Sequence, residues 1–121
     1  MSHALQSSLN DERYETVRRA VEVMWEHIDE PLPLRAIAVA VHCSERTLCA
    51  RFSSYHGVGP LRYFRIQRLH AVRRELCSAS GRTISDIAFG WGFNHLGRFC
   101  HDYRSLFGET PSVTRRDNLL A

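Results

Sequence analysis

The sequence predicts an all-α fold of seven helices, arranged as two helix-turn-helix subdomains joined by a long central helix. Three observations carry this. Apolar residues recur at i, i+3, i+4 and i+7 through most of the chain, which is the spacing of one helical face. Prolines, glycines and capping residues cut that pattern into mostly short segments. A pattern of short helix, turn and capped helix occurs twice, roughly fifty residues apart, as an internal duplication would give. With 121 residues, 44% of them hydrophobic and 24% charged, the chain is long enough to bury a core.

Residues 1–10 are small and polar without periodicity and are expected to form a disordered or vector-derived start. Asn10 is a suitable N-cap, with Asp11, Glu12 and Glu15 in a first turn where the helix dipole favours acids. Tyr14, Val17, Val21, Met24, Trp25 and Ile28 then share one face, so a first helix should reach Asp29 and stop before Pro31. Pro33 suits the first position of a second helix with Leu34, Ile37, Ala38 and Val41 inward. Ser44 caps a third, with Leu48, Phe52 and Tyr55 inward, which completes a first subdomain over 11–58. Pro60 opens a linker helix over 59–79 that buries Leu61, Phe64, Leu69, Val72 and Leu76. About nineteen residues make a rod of roughly 28 Å, comparable with the ~34 Å between successive major-groove faces on one side of B-DNA.

The second subdomain is placed at 80–117. Thr83 and Asp86 form a capping box, and Ile84, Ile87, Ala88 and Trp91 make one apolar stripe. Gly92 can take the positive φ of a sharp inter-helix turn, and Asn94 is a suitable N-cap for a helix burying Phe99, Tyr103, Leu106 and Phe107. Leu48, Phe52 and Gly57 of the first unit match Phe99, Tyr103 and Gly108 of the second. The copy breaks at His42 and Cys43, which stand where Gly92 lies, and a non-glycine in left-handed geometry there costs about 1 kcal/mol. Thr110 caps a last short helix from Pro111, and 118–121 form a frayed tail.

Charge points to a polyanionic partner. Residues 1–30 hold seven acids against three arginines, whereas residues 31–121 hold six acids against thirteen, which leaves the second part near +7. No segment is apolar enough to insert in a membrane, so nucleic acid stands ahead of lipid. All sixteen basic residues are Arg, whose forks match phosphates and guanine edges bidentately, although genome base composition produces the same bias. Cys43, Cys49, Cys77 and Cys100 include no CxxC pair and no signal-peptide pattern precedes them, which suggests free thiols in a reducing cytoplasm. No HExxH, GxSxG, P-loop or GxGxxG motif is present, and His42-Cys43 and Cys100-His101 lack partners at metal spacing. The expectation is a non-enzyme without cofactor or metal.

Over about residues 12–116 the chain resembles the C-terminal DNA-binding domain of the AraC/XylS family of bacterial transcription regulators. The resemblance is carried by Ser44-x-Arg46-x-Leu48-x-x-x-Phe52, Gly57-x-x-Pro60, Arg68-Leu69-x-x-Val72, Ile84-x-x-Ile87-Ala88, Gly92-Phe93, Phe99-x-x-x-Tyr103 and Gly108-x-x-Pro111. It implies seven helices in two helix-turn-helix subdomains that both read the major groove. Three positions depart from the family pattern. Ala50 stands where an arginine often contacts DNA, Arg51 where a buried aliphatic is common, and Cys49 where a polar residue is frequent.

Sequence-specific binding of double-stranded DNA at a promoter or operator is therefore expected, through recognition helices at about 44–56 and 95–107. RNA polymerase is a further expected partner. The domain alone is expected to be monomeric, with any dimerisation through a domain outside this chain. In the first unit the candidate DNA-binding residues are Ser44, Arg46, Thr47, Cys49, Ala50 and Arg51. Arg46 would read guanine O6 and N7, and Thr47 and Arg51 would hold phosphates. In the second they are Asn94, Leu96, Gly97, Arg98, His101 and Arg104. Leu96 would touch a thymine methyl, and Gly97 would let the backbone approach the duplex. Two alternatives remain: a DNA binder responsive to oxidation of Cys49 or Cys100, and a non-specific arginine-rich nucleic-acid-binding module.

Overall fold

The computed structural model describes residues 3–119, with side chains described over 11–118. Its helices are α1 (His3–Glu26), α2 (Leu34–Ala40), α3 (Glu45–His56), α4 (Pro60–Leu76), α5 (Ile84–Gly90), α6 (Leu96–Phe107) and α7 (Pro111–Leu119). No strand occurs among the described residues. Two compact units are present: α1, α2, α3 and the chain as far as Phe64 form one, and Ile28–Glu30 with the chain from Arg65 onward form the other. No helix among the described residues is long and apolar enough to cross a membrane.

In the first unit, α1 begins at His3, so residues 3–10 are helical where their polarity suggested disorder, and Asn10 is an interior residue rather than a cap. That stretch holds no Gly or Pro, and Ala4, Leu5, Gln6 and Leu9 are good helix formers, so nothing in it stops the helix. The expected first two residues of that start lie outside the described ones. At its other end α1 stops at Glu26, short of Asp29, where the His27 N–H is shared between the carbonyls of Val23 and Met24 at 3.2 Å each. Its inner face is Thr16, Val17, Ala20 and Met24, while Tyr14 and Trp25, expected inward, are 54% and 42% exposed. Ala20, at the centre of that stripe, is fully buried. Ile37, Ala38, Val41, Leu48 and Phe52 complete this core.

The side chain of Ser44 caps α3 by accepting from the Thr47 N–H at 3.0 Å, and Gly57 ends it in left-handed geometry at φ 73°. Tyr55, expected inward, is instead exposed, with its ring edge-on to Tyr14 at 5.6 Å. At the start of α4 the inward position goes to Pro60, four residues before Phe64, and Leu61 is left 43% exposed rather than buried.

The core of the second unit joins Leu69, Val72 and Leu76 of α4 to Ile87 and Ala88 of α5 and to Phe99 and Tyr103 of α6. The rings of Phe93, Phe99, Tyr103 and Phe107 follow one another at 4.9, 5.9 and 4.6 Å. Tyr103 is fully buried and donates to Thr114 Oγ1 on α7 at 2.8 Å, and the Thr114 hydroxyl in turn donates to Glu109. Leu106, expected inward, is 39% exposed. α7 continues through Asn118 and Leu119, where a frayed tail was expected, and the remaining two tail residues lie outside the described ones.

Candidate nucleic-acid interface

The same turn is built twice. Ile37 and Ala38 are buried as Ile87 and Ala88 are. The Cys43 N–H donates to Ala38 O at 3.1 Å, as the Phe93 N–H does to Ala88 O at 3.0 Å. His42 and Gly92 take positive φ of 58° and 92° in the two turns. These pairs are fifty residues apart, but Leu48 and Phe99, Phe52 and Tyr103, and Gly57 and Gly108 are fifty-one apart. The second turn is one residue longer. For that reason the cap of α6 is His95, whose Nδ1 accepts from the Arg98 N–H at 3.1 Å, and not Asn94. An Nδ1 that accepts leaves the neutral ring's proton on Nε2.

Each turn delivers a twelve-residue helix with one buried and one open face. At about 100° per residue, Leu48 and Phe52 point α3 inward, and Ala50 lies at the middle of the opposite arc, flanked by Arg46, Ser53 and Ser54. Arg46 and Ala50 are exposed, Thr47 and Cys49 are half-buried, and Ser44 is exposed with its hydroxyl used in the cap. Arg51 lies nearer the core, and its guanidinium donates to Thr16 Oγ1 on α1 at 2.5 Å. On α6, Phe99 and Tyr103 point inward, leaving Gly97, Arg98, His101 and Arg104 exposed. Leu96, expected outward, is half-buried against the core of its unit. It stands three residues before Phe99 and so shares that residue's inward face. Asn94 is exposed ahead of the cap.

Many of the arginines that make the sequence basic are already engaged. Arg68 donates from Nε to Ile28 O at 2.8 Å and from Nη2 to Glu30 O, and burial pulls its guanidinium below the ordinary value against the opposing charge of Asp29. Its guanidinium roofs Gly92, where an added Cβ would stand 2.9 Å from Arg68 Cζ. Glu75 accepts from Trp91 Nε1 at 2.9 Å and from Arg82 at 3.1 Å, and Arg82 also donates to Asp86 O at 2.7 Å. Arg65 faces Asp102 at 3.9 Å, and Arg73 lies over the Phe107 ring at 4.9 Å. Among the described residues Arg46, Arg98 and Arg104 make no ion pair, so the two open faces carry uncommitted cations.

Arg13 lies outside the residues expected to contact DNA. It lines a groove beside α3 with Thr47, Ala50, Arg51, Ser54 and Tyr55. It stands four residues before Val17, on the face of α1 that becomes buried one turn later, and is itself exposed. The described residues hold no group of three or more His, Cys, Asp or Glu placed for a metal ion. The four cysteines are free, and burial pushes the Cys43 thiol up.

Residues 37–117 match the family model described as a helix-turn-helix domain. A transcriptional regulator with an AraC-type DNA-binding domain, from Chromobacterium violaceum, has a similar crystal structure, with a TM-score of 0.81 and 32% identity over 87% of this chain and 93% of that one. The DNA-binding domain of AdpA, a global transcriptional factor crystallised with a target DNA, aligns with a TM-score of 0.76 at 26% identity, covering 84% of this chain and 90% of that one. The XylDLEGF operon transcriptional activator of Pseudomonas putida is 39% identical over 100 residues, which are 81% of this chain and 31% of the activator. The chain thus spans about a third of that relative's length. The repeated turn, the paired helices and these likenesses agree: the chain belongs to the AraC-type helix-turn-helix family of DNA-binding domains.

Proposed function

We propose that this chain binds double-stranded DNA sequence-specifically and regulates transcription, with α3 and α6 docked in adjacent major-groove segments of one asymmetric site. One observation carries the reading. Two copies of one turn each present a helix whose open face holds uncommitted arginines, Arg46 on the first and Arg98 and Arg104 on the second. Arg46 and Arg98 lie in the first turns of their helices, the part that enters the groove in helix-turn-helix proteins. Both are assigned to guanine edges. Thr47, His101 and Arg104 are assigned to phosphates and flanking bases, and exposed Gly97 permits close backbone approach. Arg51, tied to Thr16, contributes field more than contact. RNA polymerase is the further partner through which such a domain would act, and the chain by itself would bind as a monomer.

Selection of bound duplexes from a random pool tests this directly. A defined site should emerge, and Arg98→Ala should cost about 1–3 kcal/mol on it and flatten the preference at one base pair. With six to eight phosphate contacts, log K against log salt should fall with a slope of about −5 to −7. Binding without sequence preference, or stronger binding to single-stranded RNA, would overturn the proposal.

A further inference from the structure

We propose that the groove between α1 and α3 holds a backbone phosphate of the bound duplex, with Arg13 as the cation that reaches it; this rests on the DNA-binding reading above. The groove is lined by Arg13, Thr47, Ala50, Arg51, Ser54 and Tyr55, which supply two guanidinium groups, three hydroxyls and no acid. That set suits a singly charged phosphodiester.

Its position decides the ligand. Ala50 belongs both to the groove lining and to the middle of the open face of α3, so the groove begins at the edge of the recognition surface. A major groove about 12 Å wide just admits a helix about 10–12 Å across, so a sugar-phosphate strand must run along each flank of an inserted α3. The flank toward α1 is this groove. Its walls are braced before any ligand arrives, by the 2.5 Å bond from Arg51 to Thr16 and by the Tyr14–Tyr55 ring contact.

α1 is acidic as a whole, but its charges are segregated. Val17, Ala20 and Met24 define its inner face, and Arg13 lies on that same face just before the core begins. Asp11, Glu15 and Glu22 lie on the opposite arc, where Glu15 and Glu22 pair with Arg18. Arg13 is exposed and makes no ion pair among the described residues. A helix that composition marks as repelling DNA therefore turns a cation toward the strand. Ala50 offers no such contact from α3 itself.

The test measures binding of the whole chain to its selected duplex and to an unrelated duplex across a range of salt, for the parent, Arg13→Ala, Arg13→Lys, Arg46→Ala and the opposite-face control Arg18→Ala. Arg13→Ala should weaken both duplexes by the same factor and lower the magnitude of the salt slope by about 0.9. Arg13→Lys should keep the parental slope, and Arg18→Ala should leave it unmoved. An unchanged slope in Arg13→Ala, while Arg46→Ala still alters sequence preference, sinks the groove and spares the DNA-binding reading. An equal change in Arg18→Ala means bulk charge and overturns the site. A loss confined to the selected duplex makes Arg13 a base reader and overturns it as well. No binding of either duplex by the parent removes both proposals.

Discussion

Replacing Gly92 with alanine tests the second turn most sharply, because two separate costs meet at one Cβ. The first is backbone strain: Gly92 has a φ of 92°. Side chains in that region cost about 1–2 kcal/mol, partly offset by about 0.4–1 kcal/mol from a less flexible unfolded chain. The second is steric. The new Cβ would lie 2.9 Å from Arg68 Cζ and 3.0 Å from both Nε and Nη2. The guanidinium cannot retreat freely, since it donates to the carbonyls of Ile28 and Glu30. Losing one charge-assisted bond of this kind costs about 1.5–3 kcal/mol. Gly92→Ala should therefore destabilise the second unit by about 2–4 kcal/mol. Urea unfolding followed by Trp91 fluorescence, in a Trp25→Phe background, reports that unit alone. A double-mutant cycle separates the two costs. In an Arg68→Ala background only the strain remains, so Gly92→Ala should cost about 0.5–1.5 kcal/mol there. An equal cost in both backgrounds would falsify the claim that Arg68 roofs the turn.

Two further outcomes follow from the same unit. His95→Ala removes the side-chain cap of α6 and should cost about 0.5–2 kcal/mol in a thermal melt, with His95→Asn restoring most of it. Asn94→Ala should be near neutral, and the reverse order would return the cap to Asn94. Tyr103 is held above its ordinary pKa of 10.0, chiefly by burial, with the bond to Thr114 partly opposing. An unfolded tyrosine loses its proton near pH 10 while the buried one keeps it, so stability contributed by this group is intact below about pH 10 and declines as pH rises beyond it. Alkaline unfolding should be less steep in Tyr103→Phe than in the parent, and a phenolate band growing from Tyr103 at pH 10 in the folded chain would refute the burial.

What the sequence made legible is what a few neighbouring residues decide. The Ser44 and Thr83 caps, the glycines at 57 and 108 and the inward pairs Leu48/Phe52 and Phe99/Tyr103 each depend on local spacing, and each is in place. The misplacements have mixed causes. Asn94 was misplaced as the cap because one extra turn residue shifts the start of α6, whereas Leu96 lies three residues before Phe99, on an inward face that local spacing already marked. That insertion shows only when buried pairs of the two units are aligned. Tyr55 is exposed against Tyr14 of another helix, a contact that no periodicity could nominate, while Pro60 takes the inward position expected of Leu61. Arg13 was hidden by the net charge of its helix, although its arc on that helix is free of acids.

The same comparison explains why one turn needs glycine and its copy does not. His42 and Gly92 both adopt positive φ, and the strain of about 1–2 kcal/mol on a side chain there is an amount a folded domain can absorb. Yet His42, at 58°, sits inside the left-handed region that side chains adopt, whereas Gly92, at 92°, lies beyond it, so part of the difference is backbone. His42 is exposed, so its side chain has room in solvent. Gly92 lies under the Arg68 guanidinium, which is fixed by the Ile28 and Glu30 carbonyls and cannot tolerate a Cβ beneath it. Glycine at the second turn thus answers both its φ and the place where Arg68 is anchored. A chain carrying a small side chain in place of Arg68 should accept alanine at position 92 at the cost of the backbone strain alone.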